Sequence, residues 1–318
     1  MSNTTPCTYI ANMASSYFKL NTGANIPALG LGTWQSGPGE VKNAVSYALR
    51  TGYKLIDCAF CYGNESEVGE GIKEALDSGA VKREDFFVTS KMWCTFSSRV
   101  EENLDMSLKD LALDYVDLYL IHWPVAMNPN GNDIKFPTHP DGSRDLDLSW
   151  SHVETWKQME NLVRTGKAKA IGVCNYSVKY LEELISHATI IPAVNQIENH
   201  PYLPQTEVVS FCNSRGIQIM AYSPLGSAGS PLMNESLVQA IAAKHRLSPA
   251  TVLLSYHNKR GSTVIAKSVQ TSRIDQNNKI VDLDAEDMEA LENVYKSAGI
   301  RRYVYPAFNV DFGFPDKS

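Results

Sequence analysis

Tyr53-Lys-Leu-Ile-Asp57-Cys-Ala-Phe-Cys-Tyr62-Gly-Asn-Glu65 decides how the rest of the chain is read. Lys54-Leu-Ile is a short apolar run of strand type that closes on Asp57, and Tyr62 follows five residues later. From Glu65 onward Val68, Ile72 and Ala75 recur at helical spacing. A carboxylate ending a buried strand, with a phenol above it, is costly unless something pairs with it. Two later apolar runs offer partners: Phe86-Phe-Val-Thr-Ser ends on Lys91, and Val116-Asp-Leu-Tyr-Leu-Ile ends on His122. Brought together, these four side chains make an acid–base centre.

The order of apolar run, loop and amphipathic helix repeats along the chain. Strands are expected near 28–33, 54–57, 86–91, 116–122, 169–174, 192–196, 217–222 and 262–267. Helices are expected near 39–51, 65–77, 98–112, 151–165, 178–187, 205–215, 234–246 and 249–260, with 271–277 and 285–297 after them. Ser248-Pro-Ala-Thr is a helix start, with Ser at the cap and Pro at the first position. Eight strands alternating with helices predict an α/β fold of the (β/α)8 TIM-barrel type over an open doubly wound sheet. Barrels of roughly 250 residues are ordinary single domains, so residues 17–318 are read as one domain. Tyr17 to Pro27, turning at Asn21-Thr-Gly, reads as an N-terminal β-hairpin, and residues 1–16, small and polar, are expected to be disordered. Three long segments, Pro124–Trp150, Gly226–Asn234 and Ala298–Ser318, are expected to serve function at the C-terminal face of the barrel.

A net charge of −6 with no long Lys/Arg run argues against a nucleic-acid partner. No apolar window approaches the ~18 residues of a membrane span, and the N-terminus lacks a secretory pattern. The six cysteines show no disulfide framework, which points to a reducing cytoplasm. Cys58-Ala-Phe-Cys61 has CxxC spacing without a second pair, so it is read as two small thiols and no metal is expected. The chain has no GxGxxG fingerprint, P-loop, HExxH or GxSxG, which removes the central motif of four other enzyme classes.

In a barrel the active site lies where the strands end. The strand ends here carry Asp57, Lys91, His122, Asn175, Gln196, Tyr222 and Lys267. An ordinary core would not place polar groups at nearly every such position. A tyrosine has an ordinary pKa near ~10; Lys91 beside the phenol is expected to lower it, with Asp57 holding Lys91 charged and His122 directing a substrate oxygen. Such a set can protonate a carbonyl oxygen or deprotonate an alcohol, but it needs a separate hydride carrier.

On these motifs the chain resembles the aldo-keto reductases of the monomeric, NADPH-dependent type. The resemblance runs from about Leu20 to Arg302. It is carried by Gly52 to Glu65, Ser90-Lys91-Met-Trp93, Asp117-Leu-Tyr-Leu-Ile-His122-Trp123-Pro124, Gly172-Val-Cys-Asn175 and Pro192-Ala-Val-Asn195-Gln196-Ile-Glu198-Asn199-His200-Pro201. Ala221-Tyr222-Ser-Pro-Leu-Gly226-Ser227 and Lys267-Ser268-Val-Gln-Thr-Ser-Arg273 complete it. The resemblance implies Tyr62 as general acid, Lys91 and Asp57 as its tuning pair, and His122 as the carbonyl-orienting group. It implies NADP(H) as cofactor, with Asn175 and Gln196 on the nicotinamide carboxamide and Tyr222 stacked on the ring. Lys267, Ser268 and Arg273 would grip the 2′-phosphate, Gln276 and Asn277 would lie at the adenine, and Leu225 and Ser227 would begin a belt over the pyrophosphate. Gly32 and Thr33 would complete the cofactor site, and Trp34, Trp93 and Trp123 would wall the substrate pocket.

Some positions depart from the family pattern. Cys174 stands where serine is common, Ala266 where proline is, Gln270 where threonine is, Gln276 where an acid is frequent, and Gly229 where an aspartate often clasps the phosphate lysine. The expected partner is a small carbonyl compound. Gly32-Thr-Trp-Gln-Ser-Gly-Pro-Gly-Glu40 and Arg301-Arg302-Tyr303 are similar to fungal members acting on glycerol, glyceraldehyde and aldoses, and the arginine pair is open to two readings, an acidic-substrate site or a tail packed on the barrel. Two other classes stay open at this point: a cofactor-holding protein with little chemistry, and a barrel isomerase or lyase using Asp57 and Lys91 alone.

Overall fold

The computed structural model describes residues 16–316, so all of the 1–16 stretch expected to be disordered except Ser16 lies outside the described residues, and the Ser16 carbonyl accepts from Ala28 N at 2.9 Å. Eight parallel strands close into one ring in the order β10-β3-β4-β5-β6-β7-β8-β9. They are β3 (Leu29–Gly32), β4 (Leu55–Asp57), β5 (Phe87–Met92), β6 (Val116–Ile121), β7 (Ala168–Cys174), β8 (Val194–Glu198), β9 (Gln218–Tyr222) and β10 (Thr263–Lys267). The helices that follow them form the outer ring. They include α1 (Glu40–Arg50), α2 (Glu65–Asp77), α3 (Val100–Leu111), α4 (His152–Thr165) and α5 (Val178–His187). After these come α6 (Thr206–Ser214), α7 (Ser236–His245), α8 (Pro249–Lys259), α9 (Thr271–Asn277) and α10 (Ala285–Ala298). At the start of α8 the Ser248 hydroxyl accepts from Thr251 N, as its Ser-Pro start predicts. Among the described residues no helix is long and apolar enough to cross a membrane.

Strand periodicity places the site. Successive side chains of a strand point to opposite faces, so in a closed ring every second residue points inward. On β6 Tyr119 and Ile121 join the large core between strands and helices, while Leu118 and Leu120 join the core inside the ring. Leu55, Phe87, Val194, Met220 and Ile265 share that inner core. Counting on in steps of two from these residues reaches Asp57, Lys91, Gln196, Tyr222 and Lys267. The polar strand ends therefore continue the inward-facing rows. His122 continues the row of Leu118 and Leu120 just past the end of β6. Asn175 follows the inward Cys174 and breaks the alternation, and its left-handed backbone (φ 64°) is the local bend that accompanies the break. Inside the ring the walls close tightly: a Cβ on Gly30 would sit 2.6 Å from Leu55 Cγ and 2.7 Å from Ile265 Cδ1.

The hairpin β1 (Tyr17–Lys19) and β2 (Asn25–Pro27) pairs antiparallel as expected. Its Ile26 and the turn's Leu20 join the inner core, plugging the end of the ring opposite the polar strand ends. Burying each such side chain is worth ~1.5–3 kcal/mol, so this plug is a substantial part of the barrel's stability. Most element boundaries lie within one or two residues of the sequence reading, and two differences bear on the site. β8 runs two residues past Gln196 to Glu198, and Pro231–Asn234 is a short 3-10 helix inside the Gly226–Asn234 segment. Tyr62 likewise ends a 3-10 turn, Phe60–Tyr62, which lifts its ring over the strand ends.

Candidate active site

Asp57, Tyr62 and Lys91 form one connected chain. Lys91 Nζ donates to Asp57 Oδ2 at 2.8 Å, to the Cys58 carbonyl at 2.9 Å and to the Tyr62 hydroxyl at 3.2 Å. Lys91 is fully buried, with 0% of its surface exposed. Gln196 Nε2 donates to the other oxygen, Asp57 Oδ1, at 2.8 Å, so both carboxylate oxygens are engaged. The His122 ring meets Tyr62 edge to face with centroids 5.7 Å apart and Trp93 at 5.2 Å. Its Nδ1 is buried with no hydrogen-bond partner among the described residues.

The charge states follow from burial set against pairing. Burial lowers the Lys91 pKa, but the Asp57 carboxylate and the neighbouring Tyr62 outweigh it, and the ammonium is held charged with its pKa above the ordinary value. Burial pushes the Tyr62 phenol up, and the opposing pull of Lys91 does not offset it. The expected net lowering of Tyr62 by Lys91 is therefore corrected: the phenol is protonated throughout the neutral range because desolvation of the phenolate costs more than one shared ammonium returns. Burial, then the Lys91 charge, holds His122 well below its ordinary value, so its imidazole is neutral.

Above this chain lies a cavity of about 870 Å³. It is lined by Tyr62, His122, Trp34, Trp93 and Trp123, by Gly32, Asn175, Gln196 and Tyr222, and by Leu225, Ser227, Lys267, Ser268 and Arg273. Asn175 Nδ2 donates to the His122 carbonyl at 2.9 Å, and its Oδ1 accepts from the Tyr222 hydroxyl at 2.7 Å. Lys267 Nζ donates to the Gln35 carbonyl at 3.0 Å. Neither Lys267 nor Arg273 forms an ion pair with any described residue. A cavity of this size, lined by aromatic rings and by two cations without an ion-pair partner, suits a phosphorylated dinucleotide with its anionic groups seated on the cations.

Four sequence-chosen residues stay off the cavity wall: Lys91, buried beneath it, and Thr33, Gln276 and Asn277. The Thr33 hydroxyl is buried and donates to the Asp57 carbonyl at 3.0 Å, so it braces the strand end instead of facing the opening. Gln276 and Asn277, at the end of α9, are not among the lining residues. Arg301 and Arg302, one reading of which was an acidic-substrate site, are spent on the protein itself. Arg301 pairs with Glu235, and Arg302 pairs with Asp316 at 3.1 Å and is buried. The CxxC thiols also divide: Cys58 donates to the Thr89 carbonyl at 3.1 Å within the wall, while Cys61 lines the cavity.

The sequence reading missed three contributors. Phe136 from the Pro124–Trp150 loop and Phe308 from the tail line the cavity and flank Trp93 with ring centroids 5.2 and 6.3 Å away. Glu198 is buried and accepts from Tyr303 N at 2.7 Å, Val304 N at 2.8 Å and His200 Nε2 at 3.1 Å, which ties the tail to the end of β8. Two more residues of strand on β8 would have exposed Glu198, which has the inward parity of Gln196. His200 is thus a buried structural partner of Glu198.

The sequence profile of the Aldo/keto reductase family matches residues 28–296. The chain is 64% identical over 310 residues to a D-galacturonate reductase of Hypocrea jecorina, covering 96% of this chain and 100% of that one. It is 47% identical over 300 residues to the glycerol 2-dehydrogenase (NADP(+)) of Saccharomyces cerevisiae, covering 92% and 95% of the two chains. Among solved structures, the aldose reductase of Schistosoma japonicum superposes with a TM-score of 0.86 at 41% identity, covering 91% of this chain and 94% of its own. The eight-stranded ring, the buried Asp57–Lys91–Tyr62 chain and these matches give one conclusion: this chain belongs to the aldo/keto reductase family.

Proposed function

We propose that this chain reduces the aldehyde group of hydroxylated aldehydes, aldoses and aldose acids among them, with NADPH as cofactor. The observation that carries the proposal is a protonated Tyr62, joined to a buried, charged Lys91, in a cavity that two unpaired cations also line. NADPH supplies the hydride and its two electrons when bound, which no side chain carries. Tyr62 donates the proton to the carbonyl oxygen. Lys91, fixed by Asp57, stabilises the phenolate left behind, and neutral His122 orients the oxygen without adding a second charge. Asn175, Gln196 and Tyr222 are the proposed nicotinamide contacts, with Gly32, Leu225 and Ser227 along the cofactor. Lys267, Ser268 and Arg273 are the proposed 2′-phosphate contacts. Trp34, Trp93 and Trp123, with Phe136 and Phe308, present the aromatic wall against which the substrate packs. The same reading makes residues 17–318 one domain, working as a monomer in the cytoplasm. The test is loss of NADPH absorbance on adding D-galacturonate, glyceraldehyde, xylose or an aromatic ketone; no turnover with any of the four would refute it.

Lys267→Ala is expected to weaken NADPH ~10–100-fold, the scale of one hydrogen bond to a charged group, while NADH affinity stays within ~2-fold. Fluorescence titration with both cofactors checks this, and equal losses would mean that Lys267 does not read the 2′-phosphate.

A pH dependence also follows. Tyr62 is raised above its ordinary 10.0 and His122 lowered below its ordinary 6.5, so neither changes charge between those values. The kcat for reduction is expected to be level from pH 6.5 to 10.0, within the range where the fold survives. Alcohol oxidation needs the phenolate and is expected to rise with pH across the same range. A reduction rate that fell through a neutral pKa would show that another group supplies the proton.

A further inference from the structure

An aldose acid has a carboxylate at the end of the molecule remote from its aldehyde, and a site that prefers it needs a cation without a partner. Of the other cations near the site, Arg301 and Arg302 pair with Glu235 and Asp316 and Lys91 with Asp57, while Lys267 and Arg273 are the proposed 2′-phosphate contacts. Two cations from the Pro124–Trp150 loop, Lys135 and Arg144, form no ion pair with any described residue.

The backbone of Lys135 is fastened to the cavity-lining Trp93, although Lys135 itself is not among the lining residues. Its carbonyl accepts from Trp93 Nε1, and the preceding Ile134 carbonyl accepts from Thr95 Oγ1 at 2.6 Å. Its own N–H donates to Asp133 Oδ1 at 2.8 Å, as does that of Phe136 at 2.6 Å. The side chain is therefore presented from a fixed point beside Trp93, which meets the His122 ring. Lys135 Nζ lies 5.7 Å from the centroid of the Phe60 ring, and a Cβ on Gly63 would sit 2.6 Å from it. Gly63, at φ 70°, directly follows Tyr62, so the ammonium occupies space that any larger residue there would take. Burial pushes the cavity-lining Cys61 thiol up to about 12, and the charge that most opposes this is Lys135, ahead of Lys91. Arg144 stands behind the aromatic wall, its guanidinium 5.2 Å from the Phe136 centroid and 5.6 Å from that of Phe308. Asp133 is the nearby acid: its Oδ1 accepts from the Phe136 and Lys135 N–H groups, which, followed by the Lys135 and Arg144 charges, hold its carboxyl below the usual range, yet neither cation comes within ion-pair distance of it.

We propose that Lys135 binds the carboxylate of an aldose acid whose aldehyde lies at Tyr62 and His122, with Arg144 adding positive charge behind the wall. This rests on the reading of the chain as an aldehyde reductase and specifies which aldehydes it prefers. In an extended hexuronate the aldehyde and carboxylate carbons are five bonds or ~6 Å apart, so the proposal has the carboxylate reach the Lys135 ammonium from Tyr62 across Cys61, whose thiol feels the Lys135 charge. A neutral aldose of the same length gains nothing from Lys135.

The experiment compares D-galacturonate, D-galactose and glyceraldehyde at saturating NADPH for the wild type, Lys135→Met and Lys135→Arg. The wild type is expected to prefer galacturonate to galactose in kcat/KM. Lys135→Met is expected to lose ~10-fold or more on galacturonate through KM, to stay within ~2-fold on the two uncharged aldehydes, and to be largely rescued by arginine. A parallel loss on all three substrates would make Lys135 a loop-holding residue and overturn the proposal. So would an unchanged galacturonate KM in Lys135→Met, or a wild type that reduces galactose as well as galacturonate. Turnover of glyceraldehyde in any of these cases leaves the aldehyde-reductase reading standing; absence of turnover on every substrate removes that reading itself.

Discussion

Tyr62→Phe is expected to lower kcat for aldehyde reduction by at least ~10²-fold, the scale of a lost general acid, with NADPH affinity unchanged. The substitution removes one oxygen and keeps the ring that packs edge to face on His122. The loss should appear in kcat and kcat/KM together, because the proton moves only in the transition state. Water is a poor substitute, since the phenol sits at the floor of an aromatic pocket beside a buried ammonium that repels a hydronium-like donor. Steady-state kinetics and a cofactor titration check both halves, and turnover at the wild-type level would exclude Tyr62 as the proton donor.

The second large effect is on stability. Lys91→Met leaves the buried Asp57 carboxylate without its cation, and breaking such a pair from one side costs ~3–5 kcal/mol. Gln196 still donates to Asp57 Oδ1, which favours the lower part of that range. Urea unfolding should show the loss as a lower midpoint at an unchanged slope. Adding Asp57→Asn to Lys91→Met removes the stranded charge and is expected to restore about half of the loss or more, although activity stays absent. If the double variant is no more stable than Lys91→Met, the cost lies in packing around the lysine stem instead of in the uncompensated carboxylate.

These two variants separate roles that a single activity assay confuses. Tyr62→Phe is expected to remove chemistry and spare the fold, whereas Lys91→Met is expected to harm both, because Lys91 is at once the partner of the phenol and the counter-charge of a buried acid.

The strand-end residues were legible because a β-strand carries its facing in its own sequence. Once Leu55, Val194 and Met220 point inward, Asp57, Gln196 and Tyr222 must as well, whatever lies around them. The same logic failed where a strand end was misplaced: stopping β8 at Gln196 hid Glu198 and, with it, the anchor of the tail. It gave no hold on the long loops. Phe136, Lys135 and Phe308 have no periodicity to assign them a direction, and their positions depend on hydrogen bonds to Trp93 and Thr95 and on ring contacts made across long stretches of chain.

By itself, the sequence determined the closed ring of eight parallel strands, its hairpin plug, and the gathering of Asp57, Tyr62, Lys91 and His122 at one end, since each rests on local periodicity and turn chemistry. Only the tertiary structure decided that Tyr62 stays protonated, that Arg301 and Arg302 are consumed in internal pairs, and that Lys135 is left with none. Desolvation and ion pairing depend on what surrounds a group in space, and here those surroundings come from segments that meet only when the ring closes.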